Sequence, residues 1–179
     1  EAFASLGSYR DAETQRDDAS VRLVRALLRS GSFAEALERF SLLRDPALFP
    51  EAAEDGQTST ETFLIGFVNA WMNAHASVMN AFFSCSLLQP YLEPGGELDT
   101  LVRTELEGHD AYSNYGYLFN GAEIRQILTL DDGFAAARVH AGSSFNGPDG
   151  HVEQEADLWV LLDTRTGSTL AAAVLPVPA

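Results

Sequence analysis

The chain of 179 residues contains no lysine: all 11 of its basic residues are Arg. It has one cysteine, Cys85, which excludes an intrachain disulfide and any cysteine-built metal cluster. Its four His match no ligand spacing, so no metal site is expected. Positive charge is both scarce and uneven. Residues 1–44 carry seven Arg and seven acids, whereas residues 45–179 carry four Arg against 19 acids, the whole formal excess of −15. A polyanion repels phosphate backbones and anionic lipid, so nucleic acid is excluded as an expected partner of the main body. No cofactor is expected either, since "GSSFNGPDG" lacks the Lys and following helix of a phosphate loop.

One long stretch lacks charge altogether, "TFLIGFVNAWMNAHASVMNAFFSCSLLQPYL" between Glu61 and Glu93. Its length would suffice for a bilayer. Asn69, Asn73, His75 and Asn80 dilute it, however, and both flanks are acidic with no Arg anchor. The stretch is therefore predicted to be a buried core helix, and no transmembrane span is expected. The chain opens at Glu1 rather than Met, which reads as a processed form or a fragment.

What is present is a folded composition, 46% apolar and 10% aromatic. Residues 1–16 show little periodicity and are expected to be irregular. From Asp17, Val21, Val24, Leu27 and Leu28 form one stripe, and Gly31 suits a helix stop. A second helix opens with Ser32 and Glu35 at capping-box spacing and closes at Pro46. Its "GSFAEALERF" has the spacing of one helical-repeat helix, but no second copy appears. After a polar connection, Phe63, Phe67, Trp71, Ala74, Val78 and Phe82 make the face of the long core helix. A short helix follows, with Leu98, Leu101, Val102 and Leu106 predicted inward.

The last third changes period to two. Residues 122–130, 133–145, 151–162 and 168–177 read as strands separated by "DDG", "NGPDG" and "DTRTG". Connections this short force antiparallel neighbours. The expected fold class is α+β: helices followed by a four-stranded antiparallel meander, cone-like, with an N-terminal helical hairpin and the helices on one sheet face. The division is residues 1–50 for an extension with the hairpin, 51–59 for a linker, and 60–179 for the α+β domain.

The runs "FVNAW", "LLQPYL", "AEIRQILTLDDGFAAARVHAGSSF" and "VEQEADLWVLLD" carry a resemblance across residues 60–179. In order and hydrophobicity this part resembles the C-terminal domains of the mitochondrial inner-membrane translocase peripheral anchor and its relatives. Those domains belong to the nuclear-transport-factor-two-like superfamily. The resemblance implies a scaffold domain with an apolar pocket between sheet and helices, and lipid is the occupant it allows. Phe67, Trp71, His75, Tyr112, Tyr115 and Tyr117 are the residues expected at that pocket.

Two constellations bear on chemistry. In "HVEQEADLWVLL", Glu153, Glu155, Asp157, Trp159 and Leu161 share one face of an extended strand. Same-face neighbours lie about 6.5–7 Å apart, loosely within the separation that paired-carboxylate hydrolysis requires. A solvated outer sheet face is the better reading of the acids. Trp159 and Leu161 do not suit solvation, and strand 168–177 is apolar in both phases, as expected when both faces are covered. These five residues are therefore the expected partner-binding surface, with another subunit covering the Trp159 end. Arg138 and His140 share this face or point away from it according to the length of the turn near 146–149. The second constellation is His109, Asp110, Tyr112, Tyr115 and Tyr117, residue types able to serve acid–base catalysis, though no motif places them.

The expected function is a non-catalytic scaffold or accessory subunit of a mitochondrial inner-membrane-associated complex. Its partners would be other protein subunits, engaged through the sheet face and the N-terminal helices. The alternative is a small-pocket isomerase or dehydratase, or a lipid or small-molecule carrier, in a soluble bacterial or other compartment.

Overall fold

Short turns between amphipathic strands dictate the observed sheet. The structure, a computed structural model, describes residues 2–43, 45–52, 57–79, 87–105, 116–147 and 149–177. Among them, four helices precede four strands: α1 (Ala2–Ser30), α2 (Phe33–Ser41), α3 (Gln57–Met79) and α4 (Glu97–Glu105), then β1 (Leu118–Asp131), β2 (Phe134–Gly147), β3 (Gly150–Asp163) and β4 (Leu170–Pro176). The strands pair antiparallel in sequence order, the α+β meander that the period-two patterning predicts. Gly133 adopts a φ of +73° in the tight turn joining β1 to β2, a conformation disfavoured for residues with a Cβ. No described helix is long and apolar enough to cross a membrane.

The sheet is covered on both faces, whereas helices on one face were expected. On the inner face Ala137, Val139, Leu158 and Val160 pack against Phe67 and Trp71 of α3, together with Leu98 and Val102 of α4. On the outer face Leu128, Leu130, Trp159 and Leu161 pack beneath Val24 and Leu28 of α1 and Leu37 and Phe40 of α2. The physical reason is a pair of matching needs. The hairpin has an apolar stripe to bury, and strand β4 is apolar in both phases.

Three local expectations change. Residues 2–16 continue α1 as helix; their Ala, Leu, Arg, Glu and Gln content favours helix without any apolar repeat to announce it. Ser32 makes no capping bond through its side chain. Instead Glu97 Oε2 accepts the backbone N–H groups of Phe33 and Ala34 at 2.9 and 3.1 Å, so α4 caps α2 from 64 residues away. Leu101 is half exposed while Leu98 and Val102 are buried, so the inward face of α4 is narrower than its Leu content suggested.

Ion pairs fix the hairpin and α4. Arg29 grips Asp131 through two hydrogen bonds, at 2.8 and 3.1 Å, tying the end of α1 to the β1–β2 turn. Within α4, Arg103 donates to Asp99, whose other interaction is with the N–H of Gly95. Hydrogen bonds from Arg29 and from Arg103 hold the Asp131 and Asp99 carboxyls below the usual range. A carboxyl with a depressed folded pKa contributes stability above its unfolded value, about 3.9, and that contribution disappears as pH falls through the folded value. Accordingly, Arg29→Met should lower the melting temperature at pH 7, and the gap from the parent should narrow progressively as pH falls below about 4. A gap of equal size at pH 2 and pH 7 would show that Arg29 acts by packing alone.

Candidate functional site

The outer sheet face divides into a covered half and an open half. Trp159 is only 5% exposed and Leu161 is fully buried. The Trp159 ring meets Phe40 of α2 edge-on, with centroids 4.8 Å apart. This corrects the expectation that Trp159 and Leu161 form a partner surface. They were rightly read as needing a cover, but the chain's own hairpin supplies it. Glu153, Glu155 and Asp157 lie on the part of β3 that precedes its pairing with β4, where the sheet is three strands wide. Glu153 and Glu155 are exposed and Asp157 is half-buried.

The register decides the rest of this face. Gly147 pairs with Gly150, which sets His140 opposite Asp157 and Arg138 opposite Trp159. Directly opposed residues share a face, so Arg138 and His140 belong with the acids. Arg125 joins them through a β-bulge between Ile124 and Gln126. It lies 3.1 Å from Asp157 Oδ1 and 3.6 Å from Glu123 Oε2. His140 Nδ1 stops 3.6 Å from Asp157 Oδ1, too long for a hydrogen bond. Among the described residues, His140 Nδ1 and Arg138 Nε are shielded from solvent and make no hydrogen bond. The open half thus presents four carboxylates against two guanidiniums, with Glu123, Glu153 and Glu155 exposed.

On the inner face, the described side chains among those expected at a pocket are Phe67, Trp71 and Tyr117. Phe67 is fully buried and Trp71 nearly so, both inside the main core cluster. Both are packed in the core on that face. Tyr117 is held rather than open: its hydroxyl interacts with the backbone oxygen and Oδ1 of Asn69, each at 3.1 Å. Burial pushes its pKa up to about 12 against a weaker opposing effect from Ser143, so the phenol stays neutral near pH 7. Gln154 Nε2 donates to Ser143 Oγ at 2.9 Å and to the Met72 carbonyl at 3.2 Å. These bonds stitch α3 to the sheet. The His75 side chain, Tyr112, Tyr115, His109 and Asp110 lie outside the described residues.

Comparison with protein-family models, curated proteins and solved structures finds no significant match, so geometry alone bears on function.

Several participants escaped the sequence reading. Arg125 had a signal: in "EIRQI" two polar residues stand together where strict alternation allows one, the mark of a bulge. The Asp163–Arg165 clamp also had one, an Asp two residues before the residue whose N–H it accepts, at 2.9 Å. Glu97, Asn69 and Gln154 had none, because their bonds span distant parts of the chain.

Proposed function

We propose that the chain is a non-catalytic scaffold or accessory subunit of a larger protein assembly, meeting a basic partner through the open half of its outer sheet face. The observation that supports this reading is the exposed acid set Glu123, Glu153 and Glu155 on one sheet face of a chain with net charge −15. Such a field attracts a basic surface and raises the rate of encounter. Placement at the mitochondrial inner membrane is supported by the sequence resemblance alone.

The test is affinity purification from native membranes with the parent chain and with Glu153→Arg/Glu155→Arg. Both residues are exposed, so the melting temperature should stay within a few degrees. The double variant should lose its basic co-purifying proteins, and the parent's capture should weaken as salt shortens the screening length below about 8 Å. Recovery of the same proteins in the same yield by both chains would refute this contact surface.

A further inference from the structure

We propose that the outer edge of β1 receives a short extended segment of a basic protein as an added strand, seated in the groove between Glu51 and Glu61. The inference deepens the scaffold reading and shares with it only the premise that the partner is a protein.

β1 is an edge strand, since the sheet order is β1-β2-β3-β4. The chain itself shows that this edge accepts a strand. Thr129 N donates to the Pro50 carbonyl at 2.8 Å, Ala52 N donates to the Ile127 carbonyl at 2.9 Å, and Glu51 bridges antiparallel to Leu128. Among the described residues, no strand pairs with this edge of β1 from Leu118 to Gln126. A groove of about 180 Å³ is lined by Ile124, Arg125, Gln126 and Ile127 along β1, with Glu51 and Glu61 beside them.

An unpaired edge offers a row of backbone donors and acceptors, which an extended chain satisfies. The charges choose the occupant. Glu51 and Glu61 are both exposed, and the one cation of the groove, Arg125, already contacts Asp157 and Glu123. A basic segment therefore gains two free carboxylates. A second copy of this chain would set its own Glu51 and Glu61 against them, with −15 on each molecule, and is disfavoured. The register shifts at Phe119/Gly121 and Ile124/Gln126 interrupt the edge. They limit the added strand to about four to six residues and discourage indiscriminate pairing.

The probe is an acetylated, amidated peptide of about eight residues with alternating Lys and Val, titrated into the full chain by calorimetry. A second peptide carries N-methyl groups on alternate amides, which keeps its charge but removes its backbone donors. The unmethylated peptide should bind, and methylation should weaken it by about tenfold or more. Glu51→Lys/Glu61→Lys should weaken it to a similar degree, while Glu153→Arg/Glu155→Arg should change it less than about twofold. Equal binding of both peptides, or no binding at about 1 mM, overturns the proposal. Loss of binding through Glu153→Arg/Glu155→Arg but not through Glu51→Lys/Glu61→Lys also overturns it, and leaves the acidic outer face as the contact.

Discussion

Deletion of residues 1–43 is expected to leave a chain that cannot hold its native packing. The removed segment covers the outer sheet face, so Leu128, Leu130, Phe134, Trp159 and Leu161 would lose their apolar cover. Burial of one large apolar side chain contributes about 1.5–3 kcal/mol. Five such side chains amount to about 7–15 kcal/mol, as large as the whole stability of an ordinary domain, about 5–15 kcal/mol. The deletion also removes the Arg29 grip on Asp131. The truncated chain should bind hydrophobic dye, lose its near-ultraviolet dichroism and aggregate. Retention of a cooperative melt within about 5 °C of the parent would show that the sheet stands without its hairpin.

The fold was largely legible, because two periods and three short turns specify an antiparallel meander with helices before it. Strand β4 was also legible as doubly covered, from its apolar residues in both phases. What could not be read was who covers it. An exposed-looking Trp159 and an amphipathic hairpin are two unsatisfied apolar faces, and either could be met within the chain or by another molecule. The hairpin's own stripe, Val24, Leu28, Leu37 and Phe40, was the available clue: a second face in the same chain with nothing else to bury it. Glu153, Glu155 and Asp157 were read onto one face because alternation alone sets them, whereas Glu123 was not read. Arg138 and His140 could not be assigned to a face, since one residue of turn length inverts a strand, and only the Gly147–Gly150 pairing settles it. Phe67 and Trp71 show the opposite limit. Sequence identifies an apolar face but not whether its side chains fill or merely line the space beside it.

The division of the outer face into structural and open halves makes Trp159 the sharpest test of the cover. Trp159→Ala should cost about 3–5 kcal/mol in the isolated chain, the usual range for a buried aromatic reduced to Ala. Phe40→Ala should cost a similar amount, since Phe40 is 1% exposed and also meets Phe49 at 5.6 Å. Because the Trp159 and Phe40 rings touch edge-on at 4.8 Å and 87°, the two losses should not add. The double variant should be less destabilised than the sum by about 0.5–1.5 kcal/mol, the worth of an aromatic pair beyond its buried area. Denaturant titration of the four chains reads this directly. A surface awaiting a partner subunit behaves differently: Trp159→Ala would then leave the isolated chain within about 0.5 kcal/mol of the parent, with zero coupling to Phe40. Glu153→Arg/Glu155→Arg supplies the contrast on the same strand. Those two positions carry charge at the surface and no core contact, so reversing them should move binding and leave the denaturation midpoint in place.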